Sequence, residues 1–353
     1  MTFSIVVPVY NAEKYIDECL ETIISQTDAM EKGASIEILL IENGSNDRSG
    51  SICDRYASQY DEVKALHFGK IGAYNARREG MKAATGDYIV FVDSDDLLAK
   101  DSIDKLFYYI SELGKKSELP DVVLYNAADS QNRQHKMFDF PFDEGRLYKG
   151  RELMPFYEVM CSNDSLNALW NKCISKKLAD KCLGDESRNE KVFNHGEDLL
   201  QTAQFLDNLE SIAYLDSILY YYRENREGLT GGYHKEFMDN QVEAWKAFDE
   251  YAFKWTGDRF KSIIDERKTL TCMICLEKLI YSNASIGIMK KELKRMLESD
   301  FFREYGYGRL PNWTPESSLY IKELLKASDP YKKLCKEGTK FAFKRAVKRL
   351  LSR

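Results

Sequence analysis

Three aspartates, Asp93, Asp95 and Asp96, stand within four residues directly after the apolar run 88–92. The run is short and rich in aromatic and β-branched residues, which is typical of a strand buried on both faces of a parallel sheet. Such sheets bind ligands at the carboxyl ends of their strands. Aspartates spaced in this way can hold Mg²⁺ or Mn²⁺ and leave positions open for phosphate oxygens. A solvated turn or a helix N-cap is the alternative, because aspartate is common in both.

A second pair of acids, Glu197 and Asp198, follows Gly196 at the start of a helical pattern. A carboxylate in this position can take the proton of an attacking hydroxyl group. The helix dipole also favours acids in a first turn, so an ordinary helix start is the alternative. His195 stands beside the pair, and a lone histidine is more often structural. The residues alone leave both interpretations open.

The elements that must position these acids alternate between strand and helix over the first two thirds of the chain. A helical pattern follows each of the first three strand-like runs. This alternation predicts right-handed βαβ units and an α/β fold with a doubly wound, mostly parallel sheet. The strand-like runs are residues 3–9, 35–41, 63–68, 88–92, 121–126 and 217–223.

The chain changes character after about residue 232, where the strand-like runs end. We therefore expect two parts, a sheet-containing domain at 1–232 and a helical region at 233–353. The helical segments predicted in the second part lie near 235–255, 258–282, 289–299 and 339–353.

The composition is that of a globular protein, with 44% hydrophobic and 31% charged residues in a chain of 353. Its net charge of −6 argues against a general nucleic-acid binder. No apolar run reaches the roughly 18 residues of a membrane span, and no basic segment opens the chain, so we expect a cytoplasmic protein. Eight cysteines are scattered, and the lone Cys272-x-x-Cys275 sits in a helical pattern, which favours reduced core residues over a metal site.

Several motifs occur in a fixed order along the chain, and the order adds specificity that no single motif has. The segments are Ser4–Asn11, Glu42–Asp47, Ala76–Gly80, Asp87–Asp96, Leu169–Lys172, Gly196–Asp198 and Tyr220–Arg223. With them the chain resembles the family-2 glycosyltransferases of bacterial surface-polysaccharide synthesis, over roughly residues 1–230. The resemblance implies the type-A nucleotide-sugar-transferase fold, so that 1–232 would be the nucleotide-sugar-binding and catalytic domain.

The resemblance also implies a set of donor contacts. Glu42 would accept a hydrogen bond from the base, expected to be uracil, and Arg77 would contact the base or a phosphate. Lys172 and Arg223 would balance the charge of the leaving diphosphate, with ordinary surface cations as the alternative. The chain departs from the family pattern in two places, with Asn43 in place of the second acid and Arg78 in place of an asparagine. The implied donor-binding residues are Pro8, Val9, Tyr10, Glu42, Arg77, Asp93, Ser94, Lys172 and Arg223.

The metal ligand and the base follow from the same resemblance. Asp95 would ligate Mn²⁺ or Mg²⁺ directly, and Asp93 would contact the ribose or complete the metal's shell. Asp198 would be the catalytic base, while Glu197 would help to place the acceptor or the base. The implied acceptor contacts are Trp170, for which a core position is the alternative, and His195.

The sequence thus predicts a metal-dependent inverting glycosyltransferase. It would move a sugar from a nucleotide diphosphate, expected to be UDP, to a hydroxyl of a glycan or lipid-linked oligosaccharide. A nucleotidyltransferase would also combine a parallel sheet with metal-binding acids, but the glycine-rich phosphate loop expected after the first strand is missing from Pro8–Ala12. An oxidoreductase is disfavoured because G-x-G-x-x-G is absent there. A non-catalytic nucleotide-sugar-binding protein remains the third alternative.

The last segment, 339–353, combines basic residues with an apolar stripe that includes Phe343 and Val347. A basic amphipathic helix can lie on an anionic membrane surface, here the inner face of the cell membrane. The alternative is a helix packed on its own domain or on a partner subunit, which leaves a homo-oligomer open.

Overall fold

The structure is a computed structural model that describes residues 1–26, 33–116, 118–184, 195–225 and 234–351. The chain divides into two compact units. The first comprises residues 1–160 and 164–224, and the second comprises residues 161–163 and 225–353. The expected domain boundary at 232, like the last two residues of the expected terminal helix, lies outside the described residues.

The first unit is built on a nine-stranded sheet with the order β3-β2-β1-β4-β8-β6-β9-β5, in which β7 pairs with β9. Strands β1 to β4 are parallel to one another, and β6 is parallel to β9. The short β8 runs antiparallel between β4 and β6. The strands are β1 Thr2–Val9, β2 Ser35–Asn43, β3 Val63–Phe68, β4 Tyr88–Phe91, β5 Leu97–Leu98, β6 Val122–Asp129, β7 Leu147–Lys149, β8 Lys172–Ser175 and β9 Ser211–Tyr222.

The α/β fold and the mostly parallel sheet are therefore as predicted, and the six strand-like runs all form strands. Three further strands, β5, β7 and β8, were not predicted. They have two to four residues each, which is too short for a hydrophobic pattern to stand out.

Helices cover both faces of the sheet and bury its apolar side chains. Residues such as Ile5, Ile38 and Val90 are fully buried. Each such side chain contributes about 1.5–3 kcal/mol relative to an exposed position. The helices of this part of the chain are α1 Ile16–Ile24, α2 Ser49–Gln59, α3 Ala73–Ala83, α4 Ser102–Lys116, α5 Met154–Ser162, α6 Lys176–Leu183 and α7 Glu197–Asn208.

All the regular secondary structure in the described residues of the second unit is helical, as predicted. Its core is formed around α9, where Cys272 and Cys275 are buried free thiols. The last helix begins at Pro330 and not at 339, because proline is well tolerated in the first turn of a helix. The helices are α8 Phe237–Thr256, α9 Lys261–Ile280, α10 Ile286–Glu298, α11 Asp300–Tyr305, α12 Glu316–Leu324 and α13 Pro330–Leu351. None of the helices, within the described residues, is long and apolar enough to cross a membrane.

Candidate active site

Residues 93–96, which follow β4 after Val92, alternate between partly exposed and buried positions. Ser94 and Asp96 are buried, whereas Asp93 and Asp95 are partly exposed. The carboxylate of Asp96 accepts two hydrogen bonds of 2.7 Å, from the Tyr220 hydroxyl and from the backbone N–H of Arg223. Burial raises the pKa of Asp96 to about 8, and the charges of its aspartate neighbours add to the shift. Asp96 therefore anchors the loop on β9.

Tyr220 serves the same loop a second time. Its hydroxyl accepts the backbone N–H of Asp93 at 3.1 Å while it donates to Asp96. The sequence placed Tyr220 among three consecutive tyrosines without indicating which one reaches the acids. The strand β5, which follows the acidic loop directly, pairs with β9, and Leu98 of β5 lies opposite Tyr220. This pairing brings Tyr220 next to the acidic loop. The loop is thus fixed from both ends.

Arg77 joins the acidic loop to the second pair of acids. Its Nη2 donates to Asp93 Oδ1 at 2.9 Å and its Nη1 donates to Asp198 Oδ1 at 3.0 Å. Nη1 also lies 3.6 Å from Glu197 Oε1. Helix α3 delivers this side chain because it packs tightly on β1, where a Cβ atom at Gly80 would lie only 2.2 Å from a Val6 methyl group. The residue itself is 5% exposed.

The electrostatics of Arg77 follow from this crowding. Burial disfavours its positive charge, but the carboxylates of Asp198, Asp93 and Glu197 more than offset that cost. The pKa of Arg77 is therefore raised above its ordinary value. The guanidinium is a permanent cation at the centre of the site.

The acids of the second pair differ in exposure. Gly196, with φ of 78°, turns the chain into α7 in a left-handed conformation that favours glycine, so both acids enter the first helical turn. The Glu197 side chain is 12% exposed and the Asp198 side chain 37% exposed. Burial and the neighbouring Asp198 raise the pKa of Glu197 to about 8. Burial also raises the pKa of Asp198, although Arg77 opposes the shift. Asp198 is the acid that a hydroxyl group can approach.

Acidic groups outnumber their cation at this site. The carboxyl groups of Asp93, Glu197 and Asp198 contact the Arg77 guanidinium, and those of Asp95 and Asp96 lie in the same loop as Asp93. Within the described residues no three His, Cys, Asp or Glu side chains could hold a metal ion on their own. Carboxylate oxygens suit Mg²⁺ or Mn²⁺, which commonly take one or two carboxylates and complete their shell with water and substrate phosphates. The donor set fits a metal that is held jointly with a phosphate ligand.

The loops that follow β1 and β2 are joined by hydrogen bonds. The backbone N–H of Asn11 donates to Ser45 Oγ at 3.1 Å, and the backbone N–H of Asn46 donates to Asn11 Oδ1 at 2.8 Å. The adjacent Pro8 and Tyr10 are partly exposed, whereas Val9 is a fully buried core residue. Only the first two therefore present side-chain surface to a ligand.

Lys70, which the sequence reasoning missed, belongs to the same edge of the sheet. Its ammonium lies 4.7 Å from the centroid of the Tyr10 ring. The signal was present, since Lys70 follows β3 and the carboxyl ends of parallel strands meet at one edge.

The acidic motif at the end of β2 is used within the protein. Glu42 is buried, and its Oε1 accepts the backbone N–H of Ser45 at 2.6 Å. Asn43 Oδ1 accepts the backbone N–H groups of Ile71 and Gly72 at 2.8 and 3.2 Å. Both side chains hold loops in place, and the expected contact between Glu42 and a base stays a prediction.

Lys172 was expected to face a diphosphate, but it is fully enclosed. Its Nζ donates to the backbone oxygens of Leu166 and Ala168 and to Asn171 Oδ1. Burial lowers the pKa of Lys172 to about 7, and the nearby carboxylate of Asp198 partly offsets this. Its ammonium thus stabilises the turn before β8 instead of presenting its charge to a ligand.

Of the remaining predicted residues, Arg223 is partly exposed, whereas Trp170 and His195 are buried. Arg223 is partly exposed, and its Nη2 donates to Glu18 Oε2 at 2.7 Å. Trp170 is buried and stacks on Tyr220 with 4.8 Å between ring centroids, which is the core alternative weighed above. His195 is buried beside the first turn of α7. Arg223 is therefore the predicted cation that keeps access to solvent at this edge.

Known proteins identify the class to which this arrangement belongs. Residues 4–169 match the family model described as Glycosyl transferase family 2. The chain is 28% identical over 311 residues to the glycosyltransferase EpsJ of Bacillus subtilis, and the match covers 85% of each chain. It is 26% identical over 231 residues to the poly(ribitol-phosphate) beta-N-acetylglucosaminyltransferase TarS of Staphylococcus aureus, which covers 65% of this chain and 36% of TarS.

The fold comparison agrees with these matches. The crystal structure of S. aureus TarS 1–349 in complex with UDP-GlcNAc has a TM-score of 0.58 to this chain at 18% identity, and covers 98% of this chain and 92% of that one. Residues 4–169 thus form a domain that matches the family-2 glycosyltransferases. The chain is a glycosyltransferase, as the ordered motifs predicted, and it has the fold of the TarS 1–349 structure.

Proposed function

We propose that this glycosyltransferase moves a sugar, with inversion, from a UDP-sugar to a hydroxyl of a glycan or lipid-linked oligosaccharide in surface-polysaccharide synthesis. The observation that carries the proposal is the single guanidinium of Arg77, which holds Asp93 of the loop after β4 beside Asp198 at the start of α7. The names of the relatives support the donor and acceptor classes, since TarS is a poly(ribitol-phosphate) transferase and was crystallised with UDP-GlcNAc. The activity is assigned to the part of the chain before residue 233.

The donor side of the site is formed by Asp93 and Asp95. These carboxylates would hold Mn²⁺ or Mg²⁺ together with the donor's diphosphate. A bound divalent ion neutralises charge that develops on the leaving diphosphate. The backbone N–H of Arg223 donates to Asp96, which holds Arg223 at the same edge of the sheet. Its partly exposed guanidinium supplies a further positive group near the leaving diphosphate. Tyr10 offers an aromatic face on which a base can stack.

The acceptor side is formed by Asp198. Its partly exposed carboxylate accepts the hydroxyl proton while the hydroxyl oxygen forms a bond to the anomeric carbon and the bond from that carbon to the diphosphate oxygen breaks. One displacement inverts the anomeric centre, and no covalent enzyme intermediate forms. Glu197, which is more deeply buried, positions Asp198 and the acceptor.

A peripheral contact with an anionic membrane at its cytoplasmic face is proposed for α13. Residues 330–353 contain nine basic residues and one acid, although the whole chain carries −6. Phe343 is 70% exposed and Val347, one turn later, is also exposed. Exposed apolar and basic side chains on one helix favour binding at an anionic lipid surface. Five of the exposed lysines follow one another at four-residue spacing, at positions 332, 336, 340, 344 and 348.

A donor screen tests the reaction. Purified protein is incubated with each nucleotide sugar and Mn²⁺ or Mg²⁺, with and without EDTA, and released nucleotide is identified. We expect release of UDP that EDTA abolishes. Release of sugar 1-phosphate, with the nucleotidyl group passed to another acceptor, would instead indicate a nucleotidyltransferase. Binding of UDP-sugar without turnover on any hydroxyl acceptor would indicate a non-catalytic binder. If no nucleotide sugar binds or reacts, the proposed function is wrong.

Liposome flotation tests the membrane contact. The full chain is expected to float with vesicles that contain anionic lipid and to stay at the bottom with neutral vesicles. Lys340→Glu together with Lys344→Glu should abolish flotation, whereas the matched change Lys290→Glu with Lys291→Glu on α10 should not. Equal flotation of the two double variants would contradict the contact.

A further inference from the structure

Arg77 is the one side chain in the described residues that hydrogen-bonds to both acidic groups of the site. Nη2 contacts Asp93 at 2.9 Å and Nη1 contacts Asp198 at 3.0 Å. The first carboxylate follows β4 and the second begins α7, and 105 residues separate them in the chain. One rigid planar group therefore sets the distance between two segments that have no hydrogen bond to each other among the contacts described.

The geometry leaves little of Arg77 for a ligand. Both terminal nitrogens are engaged by carboxylates, and the side chain is 6% exposed. Its Nε is buried and has no hydrogen-bond partner within the described part of the chain. A guanidinium that contacted a base or a phosphate would need a free, accessible edge. This placement differs from the donor contact that the family resemblance implies.

We propose that Arg77 is a positioning residue, which fixes the base Asp198 relative to the donor-side carboxylate Asp93. The inference rests on the proposed function, because it assigns Asp198 and Asp93 to acceptor and donor. Transfer requires the attacking oxygen and the anomeric carbon to be held close and aligned, and a misplacement of about 1 Å can cost roughly 100-fold in rate. Lysine cannot take over this task, because a point charge on a flexible stem does not fix two carboxylates at once.

The adjacent residue provides a matched control. Arg78 lies on the same helix and is as deeply buried, but its Nη1 and Nη2 donate to the backbone oxygens of Cys182 and Leu183 at 3.2 and 3.1 Å. Both arginines lose buried hydrogen bonds when they are changed to lysine. Only Arg77 has bonds to the acids of the site, so the pair separates a general loss of stability from a loss of positioning.

The test compares the variants Arg77→Lys and Arg78→Lys with the wild type. Calorimetry with UDP and Mn²⁺ gives the donor-side Kd, and UDP release from the donor identified for the wild type gives kcat. For Arg77→Lys we expect kcat to fall about 100-fold while Kd changes less than about threefold. For Arg78→Lys we expect both to stay within about threefold. A Kd raised about tenfold or more with an unchanged kcat would make Arg77 a donor contact and overturn the proposal.

A double variant shows whether Arg77 acts through Asp198. If it does, Arg77→Lys should lower kcat by less than about threefold when Asp198 is already Asn, since residues that act as a unit are not additive. A full additional 100-fold loss would overturn the proposal. Arg77→Gln replaces the lysine variant if that protein does not fold. A wild type without any activity on nucleotide sugars would instead refute the proposed function.

Discussion

Both units of the chain bury cations, but they balance the charge differently. In the second unit, Arg267 lies against the Trp245 ring at 5.0 Å from its centroid, and its Nη1 donates to the backbone oxygen of Cys161. Lys268 donates to Asp249 at 2.8 Å, and that carboxylate is half exposed to solvent. The partners of Arg267 are therefore neutral, and the acid that pairs with Lys268 is screened by water. They complete a helical core.

In the first unit one buried guanidinium serves three carboxylates, and Asp95 and Asp96 add two more acids nearby. Burial, and after it the charges of the neighbouring acids, raises the pKa values of Asp96 and Glu197 to about 8. A fold gains nothing in stability from acids held in this way, since each resists ionisation. The difference between the units teaches that unbalanced buried charge, more than burial of charge as such, marks a functional site.

The largest expected effect comes from removing the charge of the accessible acid. Asp198→Asn keeps the shape of the side chain and its bond from Arg77, but it cannot accept a proton. We expect kcat to fall by about 10²–10⁴-fold, the usual contribution of a general base, with the Kd of UDP and Mn²⁺ nearly unchanged. Steady-state transfer assays and calorimetry measure the two quantities.

The control for that experiment is Asp207→Asn, near the other end of the same helix. It should leave kcat within about threefold of the wild type. Wild-type transfer rates in Asp198→Asn would show that this residue is not the base. The excess of acids in the first unit would then no longer mark a catalytic site.

The second unit should respond through stability and not through chemistry. Arg267→Ala removes the side chain that packs on Trp245 and leaves the Cys161 oxygen without this donor. We expect the free energy of unfolding to fall by about 2–4 kcal/mol, as for other large buried side chains that are truncated. Urea denaturation followed by circular dichroism measures the loss.

The exposed Arg303 on α11 supplies the matched change, and Arg303→Ala should cost less than about 0.5 kcal/mol. The UDP affinity of the folded Arg267→Ala protein should equal that of the wild type. A loss of UDP binding without a loss of stability would contradict the distinction drawn between the two units.

The parts of the fold that the sequence predicted are those with strong local signals. The strands that end in Val9, Asn43 and Phe91 are long enough, or apolar enough, to be read as buried parallel strands. Once they are parallel, their carboxyl ends must share an edge, which placed Asp93 and Tyr10 on the same side of the sheet. The helical second part was predicted in the same way, from the helical spacing of its apolar residues.

The partners of individual side chains were not predictable, because they depend on tertiary contacts. Nothing near Lys172 in the sequence indicates that two backbone oxygens of a preceding turn would enclose its ammonium. The strand β8 that carries Lys172 has four residues, and its place between β4 and β6 is set by pairing at long range. Arg77 was expected to contact the base or a phosphate of the donor, and the sequence could not show that carboxylates occupy both of its terminal nitrogens.

Lys172 provides the smallest expected effect and the finest test of the charge comparison, because it is a buried cation of the first unit whose described hydrogen bonds go to neutral oxygens. Its folded pKa, about 7, lies below the ordinary lysine value of about 10.4. The unfolded chain therefore binds the proton more tightly, and the cost of burying Lys172 shrinks as pH rises from 7 toward 10. Relative to Lys172→Met, the wild type should gain about 1–2 kcal/mol of unfolding free energy between pH 7 and about 8.5. The exposed Lys177→Met is the control, and parallel pH profiles of wild type and Lys172→Met would show that the oxygens of the turn hold Lys172 fully charged.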